Sequence, residues 1–578
     1  MPTDDQAVRY EPDENPPPAV AAAAGLQAAM IIVAPVVLSV VIIARVADQS
    51  DDYIAWAAFA ALLISGACTI LQAVRVGRIG AGHVLIMGTS GAFIAVCVAA
   101  LVEGGPGTMA SLIVVSSLFQ FLLAARLSLL RRVFTPVVTG TVIMLITATV
   151  IPLVASFLVD VPDDTDSAAA PLAAAATLVV IGALILRAPP AWRLWSPVIG
   201  IAAGCVVGAP FGLYDTQIIA DAAWVGVPFD AWPGFDFTPG VEFWALLPAF
   251  IVVTLVGAIE TIGDGVAIQR VSRRRPRATD FRVVQGSLNA DGVGNLLSGL
   301  AGTPPNTTYS SSIALAEVTG IAARRVGVVI GVVFIVIAFF PKFTAVIIAI
   351  PGPVAAAYVT LLLGMLFVQG MKIVVEDGVD HRKAAVVGLA FWVGVAFQNG
   401  WIFPDLLGEG FLAVLLGNGM TSGAIVAVAM VLFIEFTGPR RRRLEVALDP
   451  AALPALASFL EGFAAKARWD DAASHRLLLV GEETLASLLA DEPDPADGDG
   501  GRRLVVSARM AGRNAELEFV SATAGENIED RLAYLGEPPD VPDDREISFR
   551  LLRHYASSVR HQKYHGVDIV MVHVDGPR

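Results

Sequence analysis

Leu246–Ile268 reads LLPAFIVVTLVGAIETIGDGVAI, an apolar run of bilayer-crossing length with two carboxylates, Glu260 and Asp264, inside it. An ionised carboxylate at mid-bilayer costs roughly 2.5–3.5 kcal/mol even on lenient insertion scales. The i, i+4 spacing puts both groups on one helix face. That polar stripe must face something other than lipid: a solute, a proton path or a partner. The pair points to a transporter.

The rest of the chain agrees. Of its 578 residues, 55% are hydrophobic and 16% charged, with a mean hydropathy of +0.68, outside the range of ordinary soluble enzymes. Apolar runs recur from Ala19 to Ile434, each about 17–25 residues long, as a hydrocarbon core near 30 Å requires. They predict about fourteen membrane helices. The net charge of −14 averages over unlike regions and says little about partners. The N-terminus is acidic and Pro-rich, without the signature of a cleaved leader, so the first span is expected to act as the start signal.

Arginine and lysine fall in alternate gaps between spans. These gaps hold Arg75 and Arg78; Arg126, Arg131 and Arg132; Arg187 and Arg193; Arg270, Arg273–Arg275 and Arg277; Arg324 and Arg325; and Lys372, Arg382 and Lys383. The others are acidic or neutral, with Arg45 and Lys342 as exceptions. With an even helix count and the run Arg440–Arg443, the positive-inside rule places both termini in the cytoplasm. Topology explains these arginines better than substrate contact does. Scarce Lys beside abundant Arg, Ala and Val suggests a high-GC bacterium, hence the inner membrane. Cys68, Cys97 and Cys205 are isolated and read as packing residues. No metal spacing, phosphate-binding Gly loop or catalytic triad is visible. Neither enzyme chemistry, a cofactor, a metal nor a nucleic-acid partner is expected.

Two segments break the helical pattern: Met87-Gly-Thr-Ser-Gly-Ala-Phe93, after Gly80-Ala-Gly82, and Gly302-Thr-Pro-Pro-Asn-Thr-Thr-Tyr-Ser-Ser-Ser312. In each, small and hydroxyl residues precede an apolar segment too short to span alone. Non-helical backbone survives in a membrane only where protein or a water-filled cavity shields it. Paired interruptions in two halves of a chain mark a midplane binding site. The half-helix N-termini offer free N–H groups to a polar or anionic solute. Two ordinary turn-rich loops are the plainer reading.

Taken together these residues resemble the nucleobase–ascorbate transporters, which include bacterial uracil and xanthine permeases. The likeness runs through Gly25-Leu-Gln27, Ala61–Gln72 with Gly80 and Gly88-Thr-Ser90, and Phe134–Gly140. It continues through Glu260-Thr-Ile-Gly-Asp264, Asn289-Ala-Asp-Gly292, Pro305-Asn-Thr-Thr-Tyr309 and Thr319-Gly320, covering roughly residues 20–436. The resemblance implies an all-α polytopic protein of two inverted seven-helix repeats with two half-helix and short-strand breaks. A core domain (helices 1–4 and 8–11) would carry substrate against a gate domain (5–7 and 12–14), usually in a homodimer. It further implies that Glu260 accepts hydrogen bonds from a base, that backbone around Gly91, Ala92 and Ser310 completes the cradle, and that Asp264 serves proton coupling.

The departures lie where substrate is read. The family's Glu or Gln, Asn and Gly after the aromatic are here Ser311, Ser312 and Ala314. A serine is a shorter and less directional partner than Glu or Gln. A lost buried partner costs about 1–3 kcal/mol. The His that many members carry after the first-helix Gln is Ala28. Glu260 is expected to bind substrate, the alternative being a buried Glu satisfied by a neighbouring helix. Asp264 is expected to couple protons or to support Glu260. Asp291 is a third coupling candidate, N-capping being the alternative. Gln27 either reaches the site or bridges helices, and Tyr309 either meets a planar base or packs. Ser90, Ser310 and Ser311 are expected to line the cavity.

By this reading residues 1–18 are disordered, 19–436 form the transporter, 437–445 a basic linker and 446–578 a cytoplasmic α+β domain. Within that domain RRLVVSARM, AELEFVSA and VDIVMVHV read as strands, and Ser548–Gln562 as a helix. Phe459–Asp491 resembles the first helices of anti-sigma-factor kinases of the GHKL superfamily. Glu482 and Glu483 match the acidic start of the second helix, but Ser487 replaces the Mg–ATP-holding Asn. No Asp-x-Gly loop follows Glu518-Phe-Val520. The resemblance thus implies a GHKL-like fold without ATP binding, either an appendage or a regulator with a cytoplasmic partner. Proton-coupled uptake of a nucleobase-like solute leads. A sulfate-permease-type anion transporter and a non-transporting receptor signalling through the tail are the alternatives.

Overall fold

The computed structural model describes residues 8–125, 135–162, 165–214, 216–236, 240–275, 277–375, 378, 380–403, 411–437, 441–489, 503–511, 513–521, 544–564 and 567–577. Arg126, Arg131, Arg132, Phe134, Arg440 and the acidic stretch 491–500 lie outside them. Contacts divide the chain into two compact units, Met1–Arg274 with Val283–Phe433, and Arg275–Arg282 with Ile434–Arg578.

The first unit is built of apolar helices. Helix α1 (Pro18–Val46) begins with Pro18 at N1, where the missing N–H costs nothing. Helix α2 (Asp51–Val74) is capped by the Ser50 hydroxyl, which accepts from Tyr53 N, and carries Asp51 and Asp52 against the helix dipole. The turn after α2 is pinned by buried Gln72, whose Oε1 accepts from Ala81 N at 3.1 Å and whose Nε2 donates to Ser287 O at 3.0 Å. The chain then enters strand β1 (Met87–Thr89), a 3₁₀ turn at Gly91–Phe93 and helix α3 (Ile94–Ala125). Helix α3 is broken at Gly105, whose φ of 76° is left-handed, with Pro106 next.

Helices α4 (Pro136–Leu158), α5 (Ala169–Arg187), α6 (Ser196–Gly208) and α7 (Val241–Val271) follow. Next come α8 (Phe281–Ala301), strand β2 (Asn306–Thr308) and the short α9 (Ser311–Thr319). The series ends with α10 (Arg324–Ala338), α11 (Pro341–Ile348), α12 (Gly352–Val375), α13 (His381–Gln398), α14 (Phe411–Gly417) and α15 (Gly419–Thr437).

Among the described residues eight helices are long and apolar enough to cross a membrane, or nine if the bent pair Arg324–Ala338 and Pro341–Ile348 counts as one span. This is fewer than the expected fourteen for physical reasons. The run from Gly91 to Ala125 passes as one span although Gly105 divides it, α9 has 9 residues, and α8 carries polar side chains throughout.

Helices cross closely at reciprocal glycines: Gly66 with Gly331 (α2 and α10), Gly140 with Gly370 (α4 and α12), and Gly394 with Gly419 (α13 and α15). A Cβ on either partner would stand less than 3.0 Å from the other's carbonyl oxygen. Small residues are what let membrane helices approach so far.

The acidic N-terminus, expected to be disordered, is ordered from Val8. Arg9 and Tyr10 donate their N–H groups to Gly320 O, and Ala322 N donates to Tyr10 O. Arg274, just past α7, meets Glu14 through two nitrogens at 2.7 and 2.6 Å and donates further to Val8 O and Arg9 O. The hydrogen bond from Arg274 holds the Glu14 carboxyl below its usual range.

In the second unit, β3 (Arg442–Ala447) runs into the segment expected to be a linker. It is followed by α16 (Leu453–Ala467), α17 (Asp471–Leu489), β4 (Arg503–Ala511), β5 (Asn514–Ser521), α18 (Asp544–Tyr555), β6 (Ser558–Tyr564) and β7 (Val567–Val574). The five strands form an antiparallel sheet in the order β3-β4-β5-β7-β6. Leu456 and Leu460 of α16, Leu477 of α17, Val506, Phe519 and Val572 meet in its core. The predicted helix over Ser548–Gln562 is a helix only to Tyr555. Ser558–Tyr564 pairs with β7, so sheet registry overrides the local helical pattern.

Candidate functional site

Strands β1 and β2 lie antiparallel, Gly88 opposite Thr307 and Thr89 opposite Asn306, so the two broken segments meet tip to tip. Backbone and hydroxyl groups hold them there. Met87 N donates to Thr69 Oγ1 at 2.9 Å, Ile86 N to Ser312 Oγ at 2.8 Å and Thr89 Oγ1 to Val36 O at 2.8 Å. Tyr309 OH donates to Thr89 O at 2.7 Å, and its ring closes on Gly88, where a Cβ would come within 2.8 Å of Cζ. Tyr309 is thus the brace between the segments as well as a half-buried aromatic beside them. Tyr309→Phe removes the donor and keeps the ring. We expect a drop of about 1–3 kcal/mol in stability, read as a lower melting temperature, with base affinity little changed.

Helix α7 lays its carboxylates along these tips. Asp264 Oδ2 accepts from Thr308 Oγ1 and Oδ1 from Ser310 Oγ, both at 2.7 Å. One turn back, Thr261 Oγ1 lies 3.4 Å from Thr308 Oγ1 and donates to Asp291 Oδ2 of α8 at 2.9 Å. The same oxygen accepts from Gln120 Nε2 at 2.5 Å. Asn295 Nδ2 donates to Gln120 Oε1 at 2.7 Å, and Asn295 Oδ1 accepts from Asn306 N at 2.7 Å, closing the circuit onto β2. Asn306 is held further by Ser298 and Ser65. One polar network therefore runs from Ser310 through both aspartates to the second strand.

Glu260 stands apart from it. Its side chain is half-buried and makes no hydrogen bond among the described residues, though it lies one turn from Asp264. A carboxylate buried without a donor is costly until a solute donor or a proton meets it. Among the described residues, the hydroxyls of Ser90 and Ser311 are buried and without a hydrogen-bond partner at the two tips, as is Thr307 Oγ1. Beside them Gly91 has nothing within 4 Å of where a Cβ would stand, so space opens at the first 3₁₀ turn, while Ala92 is buried.

The structure thus brings Asp264, Asp291, Tyr309, Ser310 and Ser311 to the tips, with Gly91 and Ala92 in the adjoining turn. Asp291 is an internal network member rather than a helix cap, since it lies in the middle of α8. Gln27 makes no hydrogen bond among the described residues. On α1, the residue that accepts a hydrogen bond from β1 is Val36, roughly 13 Å further along the helix. Gln120, Asn295, Thr261 and Thr308 escaped the sequence reading. The signal was there for Asn295, because Asp291, Asn295 and Ser298 share one helical face. Among the described residues no cluster of His, Cys, Asp and Glu could hold a metal ion. A cavity of about 390 Å³ lined by Trp56, Phe59, Phe229, Trp232, Leu297 and Leu300 is apolar and includes none of the carboxylates.

The model of the Permease family, Xan_ur_permease, matches residues 20–400. A Clostridium perfringens protein provisionally named a purine permease is 30% identical over 380 residues, 64% of this chain and 80% of that protein. The xanthine permease XanP of Escherichia coli is 28% identical, over 64% of this chain and 82% of its own. The uric acid permease PucJ of Bacillus subtilis is 25% identical, over 73% and 93%.

Proposed function

The chain belongs to the permease family of nucleobase–ascorbate transporters, integral membrane proteins and not enzymes, and from that premise we propose that it takes up a nucleobase-like solute by proton-coupled secondary active transport. The relatives are named for purine, xanthine and uric acid, which makes an oxidised purine the first solute to try. The observation that carries the reading is Glu260, a carboxylate with no hydrogen-bond donor among the described residues, one turn from a carboxylate that has two. Glu260 accepts ring N–H groups of the base. The unpartnered hydroxyls of Ser90 and Ser311 and the open backbone at Gly91 meet its other edges.

Asp264 is the coupling group, with Asp291 behind it. Thr308 and Ser310, which hold Asp264, belong to the same broken segment that meets the substrate, so a change in its charge alters the cradle directly. The resemblance adds fourteen spans in two inverted repeats, core helices sliding against gate helices, and a homodimer; the alternation of basic gaps adds both termini in the cytoplasm, and the composition a bacterial source. The tail is a GHKL-like fold without nucleotide chemistry: Ser487, where Asn is expected, turns its hydroxyl back to Glu483 O at 2.7 Å.

Uptake of labelled xanthine, urate, hypoxanthine and uracil into proteoliposomes, with and without an inward proton gradient, tests this. Accumulation is expected only with the gradient. Asp264→Asn should lose the response to the gradient while still binding the base measurably. Gradient-driven accumulation by that variant removes Asp264 from the coupling step. Stoichiometric binding with no flux for any base overturns the transport reading.

A further inference from the structure

We propose that the C-terminal unit is a regulatory clamp on the connector between the two helices that carry the site's carboxylates. The proposal rests on the transport reading above and adds a control to it. The unit is not contiguous in sequence, because it takes in Arg275–Arg282, the segment that joins α7 to α8. In sequence, α7 brings Glu260 and Asp264 to one end of this segment and α8 carries Asp291 away from the other.

Within the unit, β6 is the last strand of the sheet. An open edge strand usually presents charged, solvated side chains and unpaired backbone. Here His561, Lys563 and Tyr564 are 1%, 6% and 6% exposed. The connector lies against two of the three. Asp280 forms a parallel bridge to Lys563, and the Phe281 ring lies 5.1 Å from the Tyr564 ring at 35°. One main-chain bridge and one ring contact seat the connector at the edge, the smallest form of strand addition.

The charges beneath are matched to the same place. Asp568 on β7 lies 3.6 Å from His561 Nε2 and 3.9 Å from Lys563 Nζ. Asp280 is gripped by Arg282 through Nε at 3.0 Å and a second nitrogen at 2.9 Å. A lysine so deeply buried on an edge strand holds its place only while its neighbours stay paired. The edge is therefore built to be occupied, and its occupant is the hinge between the two acidic helices. A transport cycle that moves α7 and α8 must carry the connector with it or loosen it. Anything that binds the unit and shifts β6 then changes the rate of that step without touching the solute site.

The test uses the full chain with Asp280→Cys and Lys563→Cys together, in proteoliposomes loaded for xanthine uptake. Oxidation should join the two cysteines, seen as a cross-linked peptide by mass spectrometry. It should cut uptake by about fivefold or more, the usual lower size of an allosteric coupling, with full recovery on reduction. Tyr564→Ala loosens the clamp and should raise maximal uptake about fivefold with KM unchanged. Failure of the cross-link to form, or cross-linked protein that transports at the reduced rate, overturns the clamp. Should the reduced protein carry no base at all, the transport reading fails by itself. The clamp is then decided by amide exchange across 254–275, which the cross-link must slow; unchanged exchange overturns it.

Discussion

Glu260→Gln is expected to weaken base binding roughly 10- to 150-fold and to stop measurable uptake, while the melting temperature stays close to that of the unaltered protein. The glutamine keeps the shape and removes only the charge and one acceptor. A hydrogen bond to a charged group contributes about 1.5–3 kcal/mol, and each 1.4 kcal/mol is a factor of ten in Kd. Stability should hold because Glu260 supports nothing else: it makes no hydrogen bond among the described residues, unlike Asp264 and Asp291. Titration calorimetry with xanthine and urate reads the affinity, and a thermal melt of the same sample reads the fold. Unchanged affinity takes Glu260 out of the site. A melt that falls along with affinity means the carboxylate has a structural partner instead.

Gly331→Val should have the largest effect on the fold. A Cβ at this position meets the Gly66 carbonyl oxygen of α2 and the side chain of Ile70 at less than 3.0 Å. Gly66 faces the same restriction from its own side, so neither helix can yield without separating from the other. Overpacking of this kind costs about 1–3 kcal/mol and more when backbone is the obstacle, and at a membrane crossing it also forfeits the close approach that holds the helices together. Folded protein recovered by size-exclusion chromatography in detergent should fall sharply. Gly364→Val is the control, because nothing stands within 4 Å of a Cβ there. Equal yields for the two variants would show that the crossing is not a stability determinant.

What was legible in the sequence was what is expensive locally. Two carboxylates in an apolar run and two interruptions in apolar segments each violate the membrane's preference, so each announces itself. What stayed hidden depends on distant partners. Asp264 could be read as coupling or support, but its partners Thr308 and Ser310 lie 44 and 46 residues away and look like ordinary hydroxyls. Gln120 sits in a helix with no motif of its own, and only the fold puts it against Asp291, 171 residues on. The segment Ser558–Gln562 has helical pattern in isolation and becomes strand because β7 offers a ladder. Its role as a seat for the α7–α8 connector has no local signature.

The pairing of β1 with β2 carries a cost in time. Tyr309 and Thr89, which brace it, are 220 residues apart. At about 5–20 residues per second that interval is roughly 10–45 s of synthesis. Throughout it Met87–Thr89 has entered the membrane without the strand that completes its hydrogen bonds, a state the bilayer penalises. The nascent chain must shelter this backbone, with water or an insertion factor, until the second half arrives. The candidate site is therefore incomplete until residues 306–312 have been made, and a chain released before that lacks its second strand.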